Sequence, residues 1–199
     1  MSYSPVILNL IQALCVMPGI GKKSAQRIAF HLLEKDREGA QTLSMSLSQA
    51  VLKIKNCQEC RMLTDDDLCV ICSSGSRDES TICVVESPSD VMAIEDATGF
   101  KGKYFILMGH LSPIDGIGPE ELGLSKLEDK LAKGSISELI IATNSTVEGD
   151  ATAHLISGIA MKHQISCSRI AHGIPLGGEL EYVDGGTISH AFFGRRKME

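Results

Sequence analysis

The chain has 199 residues, 43% of them hydrophobic and 22% charged, enough apolar content for an ordinary core, which excludes a disordered chain. No apolar run nears the roughly 18 residues that suggest a membrane span. The net charge of −6 is unevenly spread: residues 1–55 carry seven Lys or Arg against three acids, a surplus of +4, whereas the remainder carries twelve against twenty-two, or −10. That asymmetry points to a nucleic-acid contact at the N-terminal end and excludes a chain coated in nucleic acid throughout.

Met1 to Leu14 lacks the basic start and small-residue cleavage site of a secretory signal, so a cytoplasmic, nucleoid-associated protein without membrane contact is expected. Val6, Ile7, Leu10, Ile11 and Leu14 recur at helical spacing between Ser4 and Cys15. Met17-Pro18-Gly19-Ile20-Gly21 breaks the pattern. A second helix is predicted from Lys22, with Ala25, Ile28, Ala29, Leu32 and Leu33 inward, and a third amphipathic stretch carries Leu43, Leu47, Val51 and Ile54. Helix, Pro-Gly-Ile-Gly turn, helix resembles a helix-hairpin-helix DNA-binding motif. Gly19 and Gly21 would let the backbone approach a phosphate and supply positive φ, and the following helix N-terminus would face the anion. Lys22, Lys23 and Arg27 would add attraction that reads no base edges, so binding would be sequence-independent and salt-sensitive. The same pattern also fits a helical corner whose glycines only make a tight turn. Gly21-Lys22-Lys23-Ser24 is not a Walker A loop, because the spacing is wrong and a helix precedes it.

Cys57-Gln58-Glu59-Cys60 and Cys69-Val70-Ile71-Cys72 are two C-x₂-C knuckles eight residues apart. Two thiolate pairs complete a closed tetrahedral site, so one structural Zn²⁺ per chain is expected; a redox dithiol pair is the alternative. The loop with Thr64-Asp65-Asp66-Asp67 has little apolar content with which to fold without a metal. Cys15, Cys83 and Cys167 sit among apolar neighbours and read as small buried hydrophobes.

After Arg77, β-rich runs alternate with helices: strands at Thr81–Val85, Tyr104–Met108, Glu138–Ala142 and Ile165–Ile170, helices at Ser89–Ala97, Leu122–Lys133 and Gly149–Lys162. This predicts a mostly parallel sheet covered on both faces, with functional groups at the carboxyl ends of its strands. Glu86 ends the first strand, and Asn144, Thr146 and Glu148 follow the third. The arrangement resembles the Toprim domain of topoisomerases and primases, which implies an acid/base glutamate at Glu86. It also implies a metal-holding Asp-x-Asp pair where this chain has Asn144 and Thr146. An amide and a hydroxyl carry no charge for Mg²⁺, which prefers carboxylates. A catalytic fold without its metal centre is therefore expected, with no enzymatic activity; Asp115 could lend one carboxylate. The end, Thr187 to Arg196, predicts a short helix for an interface or for packing, followed by Arg195-Arg196-Lys197.

Hairpin, zinc knuckles and degenerate Toprim in this order resemble the RecR family of bacterial recombination mediators over essentially the whole chain. Pro18–Arg27, the paired knuckles, Leu111–Pro119, Thr146–Thr152 and Gly173–Tyr182 carry the likeness. It implies a multidomain α+β fold with a helix-hairpin-helix domain at 1–55, a four-cysteine zinc finger at 56–77 and a Toprim domain at 78–172. A Walker B-like segment with an interface helix would occupy 173–199; without a Walker A loop, no ATP hydrolysis follows from it. The resemblance further implies a homo-oligomer, a ring-like tetramer that clamps DNA and acts with RecO and RecF to load RecA onto gaps covered by single-strand-binding protein. DNA would meet Lys23 and Arg27, and an acidic surface at Glu86, Glu148 and Asp150 would face RecO. Two rivals stay open: an active Toprim nuclease or primase, and a zinc-dependent nucleic-acid-binding module with no assembly role.

Overall fold

The computed structural model describes residues 3–171 and 173–195. They form two compact units, 1–54 and 55–199, with an α+β architecture overall.

The first unit is all helical: α1 (Pro5–Leu14), α2 (Lys22–Glu34) and α3 (Arg37–Lys53). Pro5 stands in the first turn of α1, where its missing N–H costs nothing. The Asp36 carboxylate accepts from the Gly39 amide at 2.8 Å to cap α3. Leu14, Ala25 and Ala29 make a small core with Leu10, Ile11, Cys15, Ile20 and Ile28 around it. The two alanines, fully buried, let α1 and α2 approach closely. By contrast α3 buries no residue, and Leu43, Leu47, Val51 and Leu52 all lie exposed.

The second unit opens with a hairpin, β1 (Lys55–Asn56) and β2 (Leu63–Thr64), and the short helix α4 (Val70–Ser73). Then come β3 (Thr81–Val85), α5 (Pro88–Ala97), β4 (Lys103–Ile106), α6 (Leu124–Ala132), β5 (Glu138–Ala142), α7 (Val147–Lys162) and β6 (Ser166–Arg169), before α8 (Gly185–Phe193) near the end. The four longer strands form a wholly parallel sheet in the order β4-β3-β5-β6. Alternation along the strands divides the core. Ile82, Val84, Phe105, Leu139 and Ile141 meet α6 and α7 through Leu124, Leu127, Leu131, Ile156 and Ile159. Cys83, Val85, Tyr104, Ile106 and Ala142 meet Val91 and Ile94 of α5, but also Met62 and Ile71 of the cysteine module. That module thus supplies part of the second covering layer. Burying each large apolar side chain here contributes roughly 1.5–3 kcal/mol. Cys83 is buried and burial pushes its thiol up to about 12; Cys15 and Cys167 are half-buried against their cores.

Several boundaries differ by a few residues from the sequence reading. The second strand stops at Ile106 because Met108 turns to φ +62 and Gly109 to φ +149. Helix α6 starts at Leu124 because Gly123 sits at φ +68 before it. Helix α7 starts earlier than Gly149, since Thr146 caps it. The last helix ends at Phe193, and Arg196 and Lys197 lie outside the described residues. No helix among the described residues is long and apolar enough to cross a membrane.

Candidate functional site

Three places collect the residues singled out by sequence. At the hairpin, Ile20 N–H bonds to the Met17 carbonyl at 3.1 Å, closing a turn in which Gly19 takes φ +78. That is a conformation side chains resist. Gly21 differs from expectation: its φ is −83 in extended backbone, which any residue adopts. Its contribution is open space, since a Cβ at Gly19 or Gly21 would meet nothing within 4 Å. No side chain caps α2, so its first amides are left for a ligand or water. Lys22, Lys23 and Arg27 are exposed around that end. Open backbone, uncapped amides and three cations suit a phosphate.

The four knuckle sulfurs lie within 4.8 Å of one another and are buried, with Cys60 and Cys69 Sγ 3.5 Å apart. A zinc ion bound by four thiolates at about 2.3 Å needs sulfurs about 3.8 Å apart, whereas a disulfide needs about 2 Å. The cluster therefore fits a metal. The backbone is arranged for thiolates: Cys69 N–H donates to Cys57 Sγ at 3.3 Å and Met62 N–H to Cys60 Sγ at 3.4 Å. Burial pushes the Cys57 thiol up, but amides of Cys69, Cys60 and Glu59 outweigh it and bring it down to about 7.

At the carboxyl end of β3, Glu86 is 5% exposed and its oxygens are taken. Oε1 accepts from the Asn144 backbone N–H at 2.8 Å, and Oε2 from Asn144 Nδ2 at 2.8 Å. His110 Nδ1 lies 3.2 Å from Oε2. Thr146, the second position compared with the Toprim pair, has a structural part: its Oγ1 accepts from Gly149 N–H at 3.0 Å and caps α7. Gly149 has to be glycine, because a Cβ there would overlap the Asn144 carbonyl oxygen and sit 3.1 Å from Glu86 Oε1. Asp115 accepts from Ser112 Oγ at 2.6 Å in its own loop. Of the residues of the expected acidic surface, Glu148 is exposed, Asp150 is half-buried beside Arg169, and Glu86 is buried with its oxygens accepting hydrogen bonds.

Sequence reasoning missed three contributors. His110 reaches Glu86 from 24 residues away, and no residue pattern marks it. Buried Thr152 accepts from Leu111 N–H at 2.9 Å and donates to the Glu148 carbonyl at 2.7 Å, joining the 111–119 loop to the first turn of α7. Arg61, one residue beyond the second cysteine, has no sequence signal beyond that position.

Comparison with known proteins matches four segments to family models. Residues 7–51 match the RecR helix-hairpin-helix, 54–74 the RecR four-cysteine zinc finger domain, 80–171 the Toprim domain and 173–196 the RecR C-terminal model. The recombination protein RecR of Xanthomonas axonopodis pv. citri (strain 306) is 55% identical over 195 residues, covering 98% of this chain and 99% of its own. That of Xanthomonas oryzae pv. oryzae (strain MAFF 311018) is 55% identical over the same shares, and that of Xanthomonas campestris pv. campestris (strain 8004) 54%. With a hairpin, a four-cysteine cluster and a Toprim sheet in one order, and identity of this extent end to end, the chain belongs to the RecR family of recombination proteins.

Proposed function

We propose that this protein is a non-enzymatic DNA clamp of recombinational repair that helps load the RecA recombinase. The observation that carries the reading is the Toprim centre, where Glu86 is bonded by Asn144 and Thr146 caps a helix. Phosphoryl transfer on this fold relies on a divalent cation to stabilise charge, and neither Asn144 nor Thr146 offers a carboxylate to hold one.

DNA is held at the hairpin through Gly19, Gly21, Lys22, Lys23 and Arg27, by phosphate contacts without base readout. Zn²⁺ is the metal of the cysteine cluster, bound by Cys57, Cys60, Cys69 and Cys72, and it is structural because four thiolates leave no open position. The chain assembles as a tetramer. The small hairpin core and the exposed Leu43, Leu47, Val51 and Leu52 of α3 favour a second copy there, and repeated hairpins multiply weak phosphate contacts. RecO and RecF are the partners, with Glu86, exposed Glu148 and neighbouring Asp150 at the acidic face.

Incubation with labelled single-stranded, double-stranded and gapped DNA plus Mg²⁺ or Mn²⁺ tests the first claim. Retention of intact DNA is expected; Glu86-dependent cleavage or synthesis overturns it. Mass measurement in solution, with and without each DNA, tests assembly. A monomer in every condition would leave only a zinc-dependent binding module.

A further inference from the structure

Arg61 follows the second knuckle cysteine directly. Its N–H bonds to the Cys57 carbonyl at 3.0 Å, and it holds φ +70, a left-handed conformation uncommon for a residue with a side chain. The guanidinium leaves the knuckle and enters the Toprim fold. Nη1 donates to the Leu107 carbonyl at 3.0 Å and to the Leu122 carbonyl, and Nη2 donates to the Glu121 carbonyl at 3.1 Å. Its carbon lies 5.9 Å from the centre of the Phe105 ring. No carboxylate pairs with Arg61 among the described ion pairs; its partners are backbone oxygens. Gly123 completes the seat: at φ +68, a Cβ there would stand 2.6 Å from Nη1.

Those carbonyls are the two ends of one loop. Residues 107–123 leave β4 and return into α6, and Arg61 fastens the exit at Leu107 to the return at Glu121 and Leu122. Between them the loop makes its other attachments. Leu107 and Gly109 N–H bond to the carbonyls of Val85 and Glu86, each at 2.9 Å. His110 meets the Glu86 carboxylate, and Leu111 meets Thr152 on α7. The knuckle is anchored beside the same strand, because Ile106 N–H bonds to the Cys60 carbonyl at 2.9 Å. One continuous series of contacts thus runs from a metal ligand to the former catalytic carboxylate.

We infer that Arg61 is a positioning residue through which the metal-loaded knuckle fixes the 107–123 loop, and with it the His110–Glu86–Asn144 arrangement and the first turn of α7. The four-cysteine module then does more than staple its own loop. Its folded state is transmitted to the Toprim centre by a fork of donors that only a guanidinium supplies; a lysine keeps the charge but not the fork. The inference rests on the reading of Cys57, Cys60, Cys69 and Cys72 as a zinc site, and metal content is measured separately for that reason.

The test uses the full-length zinc-loaded protein, with zinc content and amide hydrogen exchange measured on wild type, Arg61→Gln and Arg61→Lys. Exchange reports local opening separately from global unfolding. Both variants are expected to keep one zinc per chain and the protection of β3 and β5. Amides of 107–123 should exchange at least about tenfold faster, and the His110 imidazole resonances should shift. Unchanged exchange in the loop overturns the inference. Equal acceleration in loop and core strands also does so, since Arg61 would then be a general packing residue. Loss of zinc from both variants overturns it too, because Arg61 would be acting on the knuckle. If Arg61→Gln does not fold, Arg61→Lys decides by the same readings. A wild type without zinc defeats the metal assignment instead.

Discussion

The Asn144 side chain and the Glu86 carboxylate meet face to face, with Nδ2 donating to Oε2 and the Asn144 backbone N–H to Oε1, both at 2.8 Å. An aspartate at 144 would place a second carboxylate in that contact, and only a cation between the two would make it favourable. The amide removes the need for the cation and satisfies a buried charge with neutral donors. The pair thereby braces the carboxyl end of β3 against the segment that leads into α7.

Restoring both acids tests that account. Asn144→Asp alone should destabilise the fold by about 1–3 kcal/mol, from a lost hydrogen bond and like-charge repulsion. In the double variant Asn144→Asp with Thr146→Asp, the cap survives because aspartate is as good an N-cap as threonine. Mg²⁺ should then raise its melting temperature, with about 1.4 kcal/mol gained at tenfold excess over the dissociation constant. Wild type should not respond. A wild-type melting point that rises equally with Mg²⁺ would mean that the centre never lost its ion.

The hairpin makes a different kind of prediction. Lys23→Glu with Arg27→Glu should weaken binding to unrelated DNA sequences alike, with the slope of log affinity against log salt falling by roughly 1–2. Both residues are exposed, so the melting curve should barely move. Equal affinity for the variant, measured by fluorescence anisotropy across a salt series, would place the DNA contact elsewhere.

The cysteine module should behave as a folding element of the second unit. Met62 and Ile71 from it pack onto the sheet, so Cys57→Ser or chelation should lower the melting temperature and expose that face to a hydrophobic dye. Protons compete with metal for thiolates, so zinc release should increase as pH falls. Calorimetry with and without chelator checks the first point, and a zinc-sensitive dye across pH the second.

Local chemistry made much of this legible in sequence. A strand such as Thr81–Val85, buried on both faces, must be a continuous apolar run, and four cysteines at knuckle spacing have one economical arrangement. Thr146 before Val147 could also have been read as a cap. The long-range polar contacts were not legible. Glu86 looks like an exposed end-of-strand acid until His110 and Asn144 arrive from distant segments, and Arg61 binds carbonyls, which every residue possesses and no pattern marks. Gly123 lies inside the helix expected from sequence, whereas in the fold it precedes α6 at φ +68 and leaves room for that guanidinium.

Two glycines of one helix separate close approach from mere flexibility. Gly149 and Gly158 both lie in α7, where glycine is ordinarily unfavourable by roughly 0.5–1 kcal/mol relative to alanine. At Gly158 an added Cβ meets nothing within 4 Å, so Gly158→Ala should stabilise by about that amount. At Gly149 the same methyl group would strike the Asn144 carbonyl oxygen, a backbone atom without a rotamer to yield. Gly149→Ala should therefore cost about 1–3 kcal/mol and disturb the Asn144–Glu86 contact, because α7 must retreat from β5 to make space. Urea denaturation of the two variants beside wild type decides the matter. Opposite signs are expected, and equal, small effects of one sign would show that α7 does not press against Asn144 as described.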